Sequence, residues 1–356
     1  MTIDICDVIK SIDKNNKKVA LCSFTLTEGD GVTQVIRQQS NSLVEAGYDV
    51  TVFSLNIDTD FNSKVETVSY SWDQTTYSGR LFRLLFFLFP AFLKSIHSLS
   101  EFDVVVTHRY PFTLSGYIAS KISDVDYVFW SHPSQEPPKD ISVVSRIWLH
   151  TLKYLETSHF SIKGADVICT VSEQSKEYIK KYVHQDITVI HNKANMDRFK
   201  NPASREEVCS QLDLDKNVTV AIYVGRITEK KNINTLIDVF ESNVSDEDTQ
   251  LLLVGKKTMP KYTSRLERQS SSRVKFTGFV SDEVLAQLYS MSDVFVTCSM
   301  EEGWGLPISE ADQFGLPIIA FETHPAAQHI SDAITVPQGD NEKFGQHLSN
   351  VLDGSD

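Results

Sequence analysis

Residues 302–310 read Glu302-Gly303-Trp304-Gly305-Leu306-Pro307-Ile308-Ser309-Glu310. Two carboxylates flank a glycine-rich turn that runs into a proline. Pro307 suits the start of a helix, because its missing N–H is one of the groups that a first turn leaves without partners. Gly315-Leu316-Pro317 suits the end of that helix, since glycine accepts a left-handed cap and proline cannot continue. The spacing puts Glu302 on a loop and Glu310 in or near the first helical turn. Small residues before a helix start let a phosphate approach the free N–H groups. A carboxylate accepts hydrogen bonds from a sugar diol. The stretch therefore points to a ligand that carries both, a nucleotide sugar.

Upstream, Val224-Gly225-Arg226 closes an apolar run and Lys231 follows just before a helical segment. A guanidinium grips phosphate oxygens as a bidentate fork and an ammonium adds a point charge, so Arg226 and Lys231 suit a diphosphate. The apolar runs Val19–Phe24, Val50–Phe53, Val104–Thr107, Tyr127–Trp130, Val167–Thr170 and Ile187–Ile190 read as one set of strands. Val218–Val224, Leu251–Val254, Val274–Thr277, Val294–Thr297 and Ile318–Phe321 read as a second. Many are apolar on both faces, as in a covered parallel sheet. Helical segments such as Val32–Ala46, Ser172–Tyr182, Asn234–Phe240 and Asp282–Ser290 alternate with them. The pattern predicts an α/β protein of two Rossmann-like doubly wound domains facing a central cleft. Met196–Glu206 carries no strand and reads as the linker, giving domains 1–197 and 198–356.

The 356 residues suffice for two sizeable cores, and the composition is that of a globular protein. The net charge of −13 lies mostly in the second half and argues against nucleic acid as a partner. Cys6, Cys22, Cys169, Cys209 and Cys298 are scattered and odd in number, which fits reduced thiols in a cytoplasmic compartment and no zinc site. Met1–Lys18 is polar and acidic, unlike a signal peptide. Asp-x-Asp pairs occur at Asp58/Asp60, Asp124/Asp126, Asp213/Asp215 and Asp246/Asp248. None joins the residues above, so no metal site and no cofactor are expected.

Leu81–Leu93 reads LFRLLFFLFPAFL, with Arg80, Arg83 and Lys94 among or beside it. A spanning helix needs roughly 20 apolar residues, so this stretch is too short to cross a bilayer. Two readings stay open: a peripheral element on the inner face of the membrane, or a buried helix with Pro90 as a kink.

The motifs resemble those of glycosyltransferase family 4, a retaining family of the GT-B fold. Its pattern E-G-F-G-L-P-x-x-E-A stands here as Glu302 through Ala311, and its G-R-x4-K as Gly225-Arg226 through Lys231. The resemblance implies that Glu302 contacts the donor sugar and Glu310 the ribose, while Gly303, Trp304, Gly305 and Leu306 offer backbone N–H groups. It implies that Arg226 and Lys231, after Gly225, neutralise the leaving diphosphate, and that Gly278-Phe279-Val280 lies around the base. Taken alone, Phe279 reads as a core residue.

In the first domain, Glu28-Gly29-Asp30-Gly31-Val32 opens a helix after the first strand, and Gly31 is the candidate for close approach to a ligand. The family has two adjacent glycines here, so Asp30 is a departure. His132, in Trp130-Ser131-His132-Pro133, matches the family's strand-end histidine near the donor sugar. His108-Arg109 ends the strand before it. Ser172, in the family's V-S-E stretch, reads as an N-cap. His191-Asn192-Lys193-Ala194-Asn195 matches the family's P-N-G-V-D only at Asn192. The family closes with a long helix crossing back to the first domain; here the sequence stops at Asp356 after the short run Asn341–Leu352, so either the crossover is lacking or the sequence is cut short.

The expected activity is transfer of a hexose-type sugar from a UDP- or GDP-sugar to a hydroxyl of a saccharide or lipid-linked acceptor, without metal. Glu302, His132, Arg226 and Lys231 are the catalytic candidates. The alternatives are a nucleotide-sugar epimerase-like enzyme or a catalytically silent nucleotide-sugar binding protein on the same fold.

Overall fold

Runs such as Val104-Val105-Val106-Thr107 are buried at every position, and β-branched side chains with no polar face commit them to the middle of a parallel sheet. The computed structural model describes residues 4–12, 17–70, 90–108, 112–132, 161–214 and 218–354. The chain divides into two units, Met1–Asn192 and Lys193–Asp356.

The first unit carries strands β1 (Lys18–Thr27), β2 (Asp49–Asp58), β3 (Glu66–Ser69), β4 (Val104–Thr107), β5 (Asp126–Ser131), β6 (Val167–Thr170) and β7 (Ile187–Val189). They pair in parallel in the order β3-β2-β1-β4-β5-β6-β7. Its helices are α1 (Ile5–Ile12), α2 (Gly31–Glu45), α3 (Pro90–Leu99), α4 (Phe112–Ile122) and α5 (Glu173–Ile179). Ser172 caps α5, accepting from the Ser175 N–H at 3.2 Å.

The second unit carries α6 (Arg205–Leu212), β8 (Thr219–Val224), α7 (Ile233–Asn243), β9 (Thr249–Val254), α8 (Pro260–Gln269) and β10 (Val274–Gly278). It continues with α9 (Asp282–Ser290), β11 (Val294–Thr297), α10 (Leu306–Gln313), β12 (Ile318–Phe321), β13 (Ile334–Val336) and α11 (Asn341–Leu352). The strand order is β10-β9-β8-β11-β12-β13, all parallel. Both sheets reverse direction beside their first strand, between β1 and β4 and between β8 and β11. Loops leaving the carboxyl ends on either side of such a point frame a ligand site. Phe344 and Leu348 of α11 are fully buried beside α7, so this helix belongs to the second core.

Several expectations need correction. Residues 5–12 are not a polar tail but a helix burying Ile5, Cys6, Val8 and Ile9 against α2. The edge strands β3 and β13 were not expected. Pro90 is the first residue of α3, a position that proline favours. Residues 81–89, with most of the Phe-rich stretch, lie outside the described residues. Among those described, no helix is long and apolar enough to cross a membrane.

The division between units falls five residues before the expected one, because of how the stretch after it packs. Asn195 caps a 3-10 turn over Met196–Phe199, accepting from the Asp197 N–H at 3.2 Å. Phe199 packs edge-on against Tyr289 and Phe314 with ring centroids 6.0 and 5.4 Å away. The first part of the expected linker is therefore docked on the second unit.

Candidate functional site

Lys231 closes a 3-10 turn over Glu229–Lys231, on the loop that follows β8. Glu302 lies on the loop that follows β11, the strand beside β8. The Met300 N–H donates to the Lys230 carbonyl at 3.3 Å and ties the loops together. Two consecutive lysines then face two consecutive glutamates. Lys230 reaches Glu301 at 3.8 Å near the surface. Lys231 Nζ donates to Glu302 Oε1 with side chains only 12% and 16% exposed. Burial pushes the Glu302 carboxyl up, but the Lys231 ammonium and hydrogen bonds from Lys231 and Ser299 outweigh it and hold it below the ordinary carboxylate value. Glu302 is therefore an anion at neutral pH.

His324, on the loop after β12, stands behind this pair. Its Nε2 is 3.8 Å from Glu302 Oε1, and its Nδ1 has no hydrogen-bond partner. Burial lowers its pKa to about 4, with Glu302 opposing and Lys231 assisting the shift, so the ring is neutral. Gly305 lies against it. Its φ of 105° is left-handed, and a Cβ there would overlap the imidazole. Gly305 is thus required both by its backbone and by the space beside it.

Gly305 is also the N-cap of α10, where no side chain bonds the first N–H groups. Gly303 and Leu306 are half-buried. Trp304 is buried, donating through Nε1 to Ser309 Oγ at 3.2 Å, with its ring 5.3 Å from that of His329. Its side chain props the loop, leaving only backbone for a ligand.

Glu310 is the fifth residue of α10, next to its first turn as expected, and is 5% exposed. Arg198 Nη2 donates to Oε1 at 3.2 Å, and the Tyr289 hydroxyl donates to Oε2 at 3.0 Å. The other arm of Arg198 pairs with Asp282 at 3.0 Å. Burial raises the Glu310 carboxyl above its usual value, against the pull of Arg198 and Tyr289.

At the carboxyl ends of β8, β9 and β10 stand Gly225, Gly255 and Gly278. The Gly225 N–H bonds the Val254 carbonyl and the Gly255 N–H bonds the Gly278 carbonyl, both at 2.9 Å. Gly255, at φ 144°, is packed so closely on Gly225 that a Cβ would overlap the Gly225 carbonyl. Arg226 is exposed beyond this row. Phe279 is not a core residue: it is 51% exposed, with Lys256 Nζ 4.8 Å from its ring centroid, while Val280 beside it is buried. An exposed aromatic face with a cation beside it at a strand end suits a planar base.

In the first unit Gly31 is exposed as the first residue of α2, with nothing where a Cβ would lie. Asp30 occupies the helix start, its carboxylate accepting from the Thr33 N–H at 3.3 Å. Glu28 pairs with Arg37 at 2.6 Å and with the Thr59 hydroxyl. This helix start is therefore already acidic and capped, in contrast to α10. His132 follows β5 and shares a hydrogen bond of 3.0 Å, Nε2 to Nδ1, with the fully buried His108 after β4. The His108 ring also stacks on Trp130 at 5.6 Å. Among the described residues no group of three or more His, Cys, Asp or Glu is placed to hold a metal ion.

The model for "Glycosyltransferase Family 4" matches residues 29–198, and that for "Glycosyl transferases group 1" matches residues 204–356. The chain belongs to glycosyltransferase family 4. This glycosyltransferase is 23% identical over 348 residues to the amylovoran biosynthesis glycosyltransferase AmsD of Erwinia amylovora, covering 92% of the chain and 88% of that relative. It is 26% identical over 268 residues to the UDP-Gal:alpha-D-GlcNAc-diphosphoundecaprenol alpha-1,3-galactosyltransferase of Escherichia coli, covering 71% of the chain and 67% of that relative. Matches to two further relatives span only 45% and 55% of their length. The structure is similar to sucrose-phosphate synthase from Thermosynechococcus elongatus, with a TM-score of 0.74 and 21% identity over 95% of this chain and 90% of that one. The fold is GT-B.

Three residues beside the family motifs carried no signal in the sequence of this glycosyltransferase. Arg198, Tyr289 and His324 sit in no recognised pattern, and each meets its glutamate only through the fold. His108 could be read as a strand-end residue, but its bond to His132 depends on β4 and β5 being neighbours.

Proposed function

We propose that the chain is a retaining transferase moving a hexose-type sugar from a UDP- or GDP-sugar to a hydroxyl of a saccharide or lipid-linked acceptor. The observation that carries this reading is the Lys231–Glu302 pair at the switch point of the second sheet. A cation for a diphosphate and an anion for sugar hydroxyls stand side by side there, next to the uncapped start of α10. The Escherichia coli relative's name includes a UDP-sugar and a lipid-linked saccharide, which supports that donor and acceptor class.

In this reading the bond from the anomeric carbon to the diphosphate breaks as the acceptor oxygen bonds to that carbon on the same face. The leaving phosphate oxygen takes the acceptor's proton. Lys231 and Arg226 stabilise the charge gathering on the diphosphate, where fixed donors are worth most. Glu302 orients the sugar and stabilises positive charge at the anomeric carbon. Glu310 holds the ribose, Phe279 and Val280 border the base, and the backbone of Gly225 and of Gly303 to Leu306 faces the phosphates and sugar. His132 is the first unit's candidate for the transfer step and Gly31 for ligand approach.

The test supplies UDP- and GDP-sugars with saccharide and lipid-linked acceptors and identifies the anomeric product. Transfer with the donor's configuration kept is expected. Neither transfer nor donor hydrolysis with any pair would overturn the proposal.

A further inference from the structure

Glu310 is not a free carboxylate waiting for a ribose. Its Oε1 accepts from Arg198 and its Oε2 from Tyr289, at 3.2 and 3.0 Å. These two partners come from different elements, the Met196–Phe199 turn and α9. Arg198 is itself held at its other arm by Asp282, the first residue of α9, and its guanidinium lies 4.3 Å from the centroid of the Phe199 ring. Tyr289 stacks on Phe314 at 5.1 Å, just beyond the end of α10. The arrangement is a rigid frame with the carboxylate at its centre.

A carboxylate oxygen has two lone pairs, so one donor on each oxygen leaves one place on each. Two remaining places, side by side and fixed in direction, match the two hydroxyls of a ribose. A Glu side chain without these partners would rotate about its last bond and lose rotamer freedom on binding. The cation also matters for charge. An anion buried this deeply is costly without a partner, and Arg198 is the cation that reaches it.

We propose that Arg198 and Tyr289 are positioning residues that aim Glu310 at the ribose diol of the nucleotide, so that the Met196–Phe199 turn and α9 together set the preference for a ribonucleotide. The proposal rests on the reading of Glu310 as the ribose contact. Tyr289 keeps its proton for this task, since burial and the neighbouring Glu310 push its phenol well above its ordinary pKa.

The experiment measures binding of UDP and GDP, each beside its 2′,3′-dideoxy counterpart, to the full chain by calorimetry. The readout is the ratio of the two affinities. The parent should prefer the ribonucleotide, by on the order of tenfold to a hundredfold, as expected for hydrogen bonds to a charged group. Glu310→Gln should bring that ratio close to one. Arg198→Met should do the same, and Arg198→Lys should restore part of it. Tyr289→Phe, which removes one hydroxyl and keeps the ring packing, should lower the ratio even if Arg198→Met does not fold. A residue with only a structural role would weaken both nucleotides equally and leave the ratio unchanged. A parent-like ratio in Arg198→Met or, failing that variant, in Tyr289→Phe, with Glu310→Gln collapsed, overturns the positioning proposal alone. A parent with no preference, or a Glu310→Gln variant that keeps it, overturns the ribose reading and this inference with it.

Discussion

Glu302 and Lys231 meet where little water reaches either charge, and the Lys231 ammonium helps hold the Glu302 carboxylate ionised. Removing one partner leaves the other without compensation, which is a larger loss than the net value of the pair. Lys231→Ala should therefore lower turnover at saturating donor by about 10²–10³, the range for removing one fixed donor from developing negative charge. Steady-state kinetics across donor concentrations check this, and a parent turnover number would remove Lys231 from the transfer step. His324 makes a separate prediction. It is neutral when folded, with a pKa of about 4 against 6.5 for the free group. The unfolded chain takes up a proton as pH falls below 6.5 while the folded one does not, so stability falls between pH 6.5 and 4. The loss from this group is about 3 kcal/mol. Thermal melts across that range should show it, and His324→Asn should flatten the slope. The motif glutamates and Lys231 were legible because the chemistry sits within short spacings. His324 and Arg198 were not, because His324 lies 22 residues beyond Glu302 and Arg198 lies 112 before Glu310.

At the scale of elements, two helix starts with similar sequences differ in what they offer. The first residue of α10 follows an uncapped glycine, while α2 begins behind Asp30, whose carboxylate already serves the Thr33 N–H. Asp30→Ala should cost about 1 kcal/mol of stability, the usual value of such a cap. Denaturant unfolding measures this, and nucleotide affinity should stay at the parent value. Tighter nucleotide binding in that variant would show that the acid had been repelling a phosphate from α2. Central strands were readable in advance because continuous β-branched and apolar runs leave no other state for them. The edge strands were not. Residues 66–69 are mostly exposed and polar, and 334–336 have one buried position, so their pairing is decided by the neighbouring strand. The helix over residues 5–12 escaped for a related reason: its apolar residues span barely two turns, and the surface of α2 makes them a face.

For the whole molecule, the doubled α/β pattern was legible because it repeats, whereas the division near Asn192 was not. That division depends on which core Phe199 joins, and aromatic packing at long range settles it. Hydrogen exchange on the full chain with saturating UDP or GDP should slow amides in residues 225–232 and 299–310, with β2 and β3 at parent rates. Protection spread evenly over both sheets would contradict a donor site on the second. The mutual pairing of Lys231 and Glu302 also bears on what happens after the reaction. In the proposed reaction an intact donor would offer hydroxyls to Glu302 while its diphosphate takes the ammonium. Once the sugar has gone, a spent nucleotide would keep Lys231 only by leaving Glu302 as a lone, shielded anion. The ion pair would then act as a spring that re-forms when the sugar leaves, expelling product and resetting the pocket for the next donor.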